Sequence, residues 1–232
     1  MDAITLLKTD HQNVERLFKR FEKAGDRAYA QRRKVVDQII EELSVHAVIE
    51  EQLFYPVTRA AVPPVEDIAL ESLEEHHIVK ILLAELEHMD PKAERFVPKV
   101  TVLMENVRHH VEEEESDYFP KVREALGRND LNELGDAMAD AKKTAPTHPH
   151  PTAPDTPPGN IVAGHAAGVV DKVTDTVSGL AQGGFSVAQD LIARITGATP
   201  PRRKAPTGSK TARKVAGQVR DAADEASDRA AS

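Results

Sequence analysis

The chain contains no cysteine. That absence excludes disulfides, thiolate metal sites and cysteine redox chemistry, so any metal must be held by imidazole, carboxylate, phenol or water. Long hydrophobic runs are missing too. The longest charge-free apolar stretch of the C-terminal half, residues 176–189, is glycine-rich and falls short of the roughly 20 apolar residues a bilayer span needs. The first residues enter a polar, periodic segment without an apolar leader, so no secretory signal and a cytoplasmic location are expected. No stretch reads as a strand. Basic residues are outnumbered by acidic ones in residues 1–143, which produces the net charge of −8, while residues 144–232 carry a small basic excess. The acidic part is unsuited to nucleic acid. The basic stretch 202–220 has no aromatic residue between its cations, so no specific nucleic-acid partner is expected there either.

Against those absences stand two matching segments. One reads His46-Ala47-Val48-Ile49-Glu50, followed by Phe54-Tyr55-Pro56. The other reads His110-Val111-Glu112-Glu113-Glu114, followed by Tyr118-Phe119-Pro120. In both, Glu follows His by four residues and Pro follows Glu by six. Residues four apart share one face of a helix, so each segment offers an imidazole and a carboxylate together. Asp10-His11 and Glu75-His76 open two further helical stretches. The order is lone His, His-x3-Glu, lone His, His-x3-Glu, the pattern of a duplicated helix pair and hence of a four-helix bundle.

The 232 residues suffice for one ample domain with an appendage. A first helix, capped by Asp2, is predicted to run to about residue 24, with Gly25 just past its end. A second covers 29–60, bent or locally broken by Pro56 and ended by Pro63-Pro64. A third covers 65–89. A fourth covers 94–126 and stops at Gly127. A short fifth, 130–142, is amphipathic through Leu131, Leu134 and Met138 and is expected to pack against the bundle. The domain reading is therefore a bundle over 1–143, a Pro-rich linker over 144–160, and a third part, 161–232. That last part begins with an Ala/Gly/Val-rich helical segment, broken at Gly183-Gly184, and ends in a basic, largely flexible tail. The tail offers a weak contact to membrane or to an anionic partner. The oligomeric state is not readable.

A single His on an apolar stripe is usually a satisfied core residue. Four such stripes, each with a His at the corresponding level and two with Glu at i+4, change that reading. Two buried, unpaired carboxylates would cost several kcal/mol unless something positive neutralised them, and a metal pair does so. His11, His46, Glu50, His76, His110 and Glu114 are the expected ligands. His77 and His109 lie at the stripe edges, and Glu51 and Glu115 rank below Glu50 and Glu114. Tyr55 and Tyr118, one turn after the Glu residues, are expected to pack or hydrogen-bond near the site, with Tyr55 also able to ligate. Imidazole with carboxylate suits iron first and manganese second.

These motifs, TDHQNVERLF, HAVIEEQLFYP, EEHHIVKILL and HHVEEEESDYFP, resemble the hemerythrin-like, or HHE cation-binding, family over about residues 1–143. The resemblance implies an all-α, antiparallel four-helix bundle around a non-haem di-iron centre. Two Glu and an oxo or hydroxo group would bridge the irons. One position departs from the pattern. Oxygen-carrying hemerythrins have His-x3-His on the third helix, whereas Lys80 stands four after His76 here. Glu15, four after His11, or Tyr55 could fill the gap. Simple oxygen transport is accordingly disfavoured. The expected function is binding of O2 or H2O2, with catalase-like peroxide removal as the enzymatic version. Non-catalytic sensing of O2, NO or iron, and iron handling or iron-centre repair, are the alternatives.

Overall fold

The computed structural model describes residues 1–152 and 180–197, and every regular element among them is helical. Helix α1 is Ala3–Glu22 and α2 is Tyr29–Ile49, which continues through a π-helical turn, Glu50–Phe54, into α3, Tyr55–Ala61. Helix α4 is Glu66–Glu87. Helix α5, Phe96–Glu113, likewise passes through a π turn, Glu114–Tyr118, into α6, Phe119–Ala125. Helix α7 is Arg128–Lys142 and α8 is Leu180–Thr196. α1 packs on α2, α2 on α4 and α4 on α5. Ion pairs from Arg108 to Glu15 and Glu22, at 3.0 and 2.9 Å, tie α5 back to α1. The result is an antiparallel four-helix bundle with α7 added.

Local chemistry sets the helix starts. The Asp2 carboxylate accepts from the Thr5 backbone N–H at 3.0 Å and from its hydroxyl at 2.8 Å, satisfying a free donor of the first turn. The two glycines expected as stops behave otherwise. α1 ends at Glu22, before Gly25, and α6 ends at Ala125. Neither glycine takes a left-handed conformation. Leu126 leaves α6 extended so that its side chain is buried, and Gly127 becomes the residue from which α7 starts.

The prolines act in the expected places but do not break the helices. Pro56 has no N–H for the carbonyl four residues back, and its ring crowds that carbonyl. Relief comes one residue earlier: the Tyr55 N–H bonds to the Glu50 carbonyl, five residues away, and Phe119 does the same to Glu114. Each turn widens, and the helix goes on. π turns of this kind often sit at functional sites, and here Glu50 and Glu114 each open one.

Two apolar clusters fill the bundle, one on each side of a polar layer. On α1, Ile4 and Leu7 belong to the first cluster, with Phe54, Phe119, Leu131 and Met138. Val14, Phe18 and Phe21 belong to the second, with Val36, Leu83, Phe96 and Leu103. His11 sits between the two sets. α7 closes the first cluster, and Ala188 and Leu191 of α8 pack on it. α8 runs unbroken through Gly183-Gly184, contrary to the expected interruption. Packing against α7 and α3 outweighs glycine's cost of about 1 kcal/mol per helical position. The described residues belong to one compact unit. The expectations for 153–179 and for the basic tail lie outside the described residues. No described helix is long and apolar enough to cross a membrane.

Candidate metal centre

The polar layer consists of His11 on α1, His46 on α2, His76 on α4 and His110 on α5, with Glu50 and Glu114 at the heads of the two π turns. Both carboxylates are wholly buried and the four imidazoles nearly so. The Nε2 atoms face inward. His46 Nε2 lies 3.0 Å from Glu50 Oε2, which is also 3.4 Å from His76 Nε2. His11 Nε2 lies 3.3 Å and His110 Nε2 3.6 Å from Glu114 Oε2. His76 and His110 bring their Nε2 atoms to 3.2 Å.

These donors fall into two groups that share one residue. His11, His46, Glu50 and Glu114 form one, and Glu50, His76 and His110 form the other, each with all its donor atoms within 4.8 Å of one another. Glu50 is common to both. Both Glu50 oxygens, Glu114 Oε2, and the Nε2 atoms of His11 and His46 are buried without a hydrogen-bond partner. Leaving such groups unpartnered costs about 1–3 kcal/mol each, more for charges. The donor set therefore fits a pair of cations.

The outward Nδ1 atoms reveal an order that the sequence reading missed. His11 Nδ1 meets Glu115 at 2.9 Å, His76 Nδ1 meets Glu51 at 3.0 Å, and His110 Nδ1 meets Glu75 at 2.7 Å. His46 Nδ1 lies 3.6 Å from Asp10. Each helix thus supplies the carboxylate for the His of the next: α1 serves α2, the turn after α2 serves α4, α4 serves α5, and the turn after α5 serves α1. Such partners set the tautomer and orientation of a ligating imidazole. The signal was in the sequence as two repeated pairs, Asp10-His11 with Glu75-His76, and Glu50-Glu51 with Glu114-Glu115. Three of these carboxylates meet a lysine in turn: Lys80 on Glu51 at 3.1 Å, Lys8 on Glu115 at 3.3 Å, and Lys142 on Asp10 at 2.6 Å.

The remaining candidates stand outside these two donor groups; His109 falls instead in a separate, partly exposed cluster with Glu75 and Glu113. Glu15 pairs with Arg108 and Lys19 at the surface. Lys80 lies behind Glu51, and His77 is only half-buried. His109 is 61% exposed and pairs with Glu113 at 3.5 Å. Tyr55 and Tyr118 turn out not to be equivalent. Counting from each Glu, Tyr55 corresponds to Phe119, because the motifs read Phe-Tyr-Pro and Tyr-Phe-Pro. Tyr55 packs on His76 with ring centres 5.5 Å apart, and Phe119 stacks on His11 at 5.8 Å. The Tyr55 hydroxyl donates to Glu114 Oε1 at 3.0 Å and lies 3.3 Å from His76 Nε2. The Tyr118 hydroxyl is held by Thr58 at 2.8 Å instead. Only the His76/His110 side carries a hydroxyl.

Electrostatics follow from this burial. Desolvation opposes the charged form of His46, but Glu50 and Asp10 outweigh it and push its pKa up to about 10. His76 is raised to about 9 in the same way by Glu50 and Glu51. Burial alone would raise Glu50, yet His46 and His76 hold it well below the usual carboxylate range. Burial, reinforced by Glu114 and Glu50, lifts Tyr55 well above the ordinary phenol value. Without a metal, protons on His46 and His76 therefore offset the charge of Glu50.

The four imidazoles also line an apolar cavity of about 20 Å³ with Val14, Leu43, Ala47, Val79, Val107 and Val111. About 10–15 Å³ suffices for one water, so the cavity takes a molecule of one or two heavy atoms.

Residues 2–122 match the family model described as hemerythrin HHE cation binding domain. An uncharacterized hemerythrin-like protein of Schizosaccharomyces pombe is 30% identical over 167 residues, which is 72% of this chain and 81% of that protein. A DNA nickase of Nostoc sp. is 28% identical over 142 residues, 61% of this chain but 39% of the nickase. Among solved structures, a hemerythrin HHE cation binding domain-containing protein from Mycobacterium kansasii superposes with a TM-score of 0.54 at 25% identity, over 62% of this chain and 86% of that one.

Proposed function

The chain belongs to the hemerythrin HHE cation-binding family, and from that premise we propose that it is a di-iron protein that binds small oxidants, O2 or H2O2, and removes peroxide as a catalase does. His11, His46, Glu50 and Glu114 would hold one ion. His76 and His110 would hold the other, with Glu50 available to both. The observation that carries this reading is the pair of donor groups sharing a buried, unpartnered Glu50. Imidazole and carboxylate without thiolate favour iron, with manganese second. Bound iron would supply the redox chemistry toward O2 or peroxide.

The residues around the centre supply the rest. The Glu50/His76/His110 group offers one residue donor fewer than the other, which would leave an ion there more open to a small ligand. The Tyr55 hydroxyl lies on that side, where it can hold or give a proton beside Glu114. The small size of the apolar cavity beside the imidazoles supports a ligand such as O2, NO or H2O2. Its valine and leucine walls keep the site dry, which strengthens every charge interaction inside it.

Elemental analysis of protein expressed with iron supplied tests the reading. Two irons per chain are expected, with O2 evolved from added H2O2 and lost in Glu50→Ala. A folded chain that retains no transition metal would sink it. A fully loaded chain inert to peroxide would leave binding and end the enzymatic version. The non-catalytic sensor reading draws support from α7, which packs on the bundle and reaches Asp10 beside the centre.

A further inference from the structure

Three of the four His–carboxylate bonds around the centre are short, between 2.7 and 3.0 Å. The fourth, Asp10 to His46, opens to 3.6 Å, and neither Asp10 Oδ2 nor His46 Nδ1 has a hydrogen-bond partner although both atoms are buried. The other oxygen of Asp10 is engaged elsewhere. It accepts from Lys142 Nζ at 2.6 Å, the shortest of the three lysine–carboxylate pairs. Lys8 and Lys80 stand at 3.3 and 3.1 Å from their carboxylates, which keep close bonds to His11 and His76. Lys142 also differs in origin. It belongs to α7, outside the four helices and beyond the residues matched by the family model.

The docking of α7 is tight. A Cβ on Gly135 would overlap the Met1 carbonyl oxygen and come within 2.7 Å of the Ala3 nitrogen, so a glycine lets α7 press against the start of α1. Leu131, Leu134 and Met138 of α7 are buried in the first apolar cluster. That seating brings Lys142, one turn beyond Met138 on the same face, over Asp10.

We propose that Lys142 is a positioning residue of the metal centre: by holding the Asp10 carboxylate away from His46 Nδ1–H it denies that imidazole its hydrogen bond, and so sets how firmly His46 retains its ion. A carboxylate accepting from the far nitrogen of a ligating His raises the basicity of that imidazole. A lysine bonded to the same carboxylate draws its charge away. With Lys142 in place, His46 is the least supported of the four ligands. With Lys142 absent, Asp10 is free to close on His46, and the ion in the His11/His46 group is bound more firmly. α7 thereby becomes part of the centre, and its docking adjusts one of the two ions.

The inference rests on the two-ion reading above, and its test separates the two. The full chain is loaded with Co2+, whose visible absorption reports ligand changes, and release to excess chelator is followed in time. Wild type is expected to release two ions per chain in distinguishable phases. Lys142→Met should slow one phase about tenfold, the scale on which such outer partners act, and leave the other unchanged. Lys142→Arg should restore the wild-type rate. Asp10→Asn, isosteric but a weaker acceptor, should speed that same phase by a similar factor. The opposite signs distinguish tuning of His46 from mere loosening of the fold. Identical rates and spectra in wild type, Lys142→Met and Asp10→Asn would overturn the proposal, as would equal changes in both phases. A wild-type chain that takes up no Co2+ would instead sink the two-ion reading itself.

Discussion

Stripping the metal should reverse the pH dependence of stability. In the metal-free chain, His46 and His76 are raised to about 10 and about 9 by buried carboxylates. A group whose pKa is higher folded than unfolded stabilises most below its unfolded value, about 6.5 for His, and loses that stabilisation as pH rises through the folded value. The window is therefore about pH 6.5 to 10. A rise to about 10 corresponds to about 5 kcal/mol for His46. His76 draws on the same Glu50, so the two do not add, and a total loss of about 3–5 kcal/mol is expected. Glu50, held low, contributes in the opposite sense: its share is present above the usual carboxylate pKa and is lost in acid. Metal binding requires neutral imidazoles and displaces these protons. The gain in melting temperature on adding Fe2+ or Zn2+ should thus grow with pH. Thermal unfolding of chelator-treated protein between pH 6 and 9.5, with and without metal, measures both curves. Metal-free stability that stays flat or rises across this range would refute the argument that protons stand in for cations in the layer.

Glu50 belongs to both donor groups and Glu114 to one, so Glu50→Ala should lose both metals, whereas Glu114→Ala should retain a part of the content, as elemental analysis would show. Tyr55→Phe makes the two sides alike; it should keep the metal content while changing the absorption of the ion held by His76 and His110, and an unchanged spectrum would place the hydroxyl outside the site's chemistry. Gly135→Ala forces a methyl group into the backbone of residues 1–3 and should cost about 1–3 kcal/mol, read as a lower denaturant midpoint. Asp2→Ala removes the cap of α1 and should cost about 1 kcal/mol by the same assay.

Much of the bundle was legible in the sequence because helices announce themselves by period. Val14, Phe18 and Phe21, or Val100, Leu103 and Val107, recur at three and four residues and are buried together. The inward face of each helix followed, and with it the six central residues that the structure gathers. The rest was less visible for physical reasons. Proline marks where a helix must yield, but whether it breaks or widens depends on the packing that holds both halves in line, and here the chain widens by one residue. Gly183-Gly184 weakens a helix locally, yet α8 is continuous because a neighbouring surface supports it. Glu51 and Glu115 looked like flank residues since they sit one position off the stripe. They reach across to the next helix, which a single-helix pattern does not describe.

The amino-acid sequence by itself determined the helix count in the bundle, the two His-x3-Glu pairs, the exclusion of thiolate ligands and the level at which polar groups enter the core, because each depends only on residue type and spacing along one helix. Only the tertiary structure decided which carboxylate supports which imidazole, that the Tyr55 hydroxyl reaches Glu114 while that of Tyr118 turns to Thr58, and that Lys142 of α7 lies on Asp10. Those contacts cross between helices. They depend on the rotation and axial offset of each helix against its neighbours, which packing of the two apolar clusters sets and no single helix encodes.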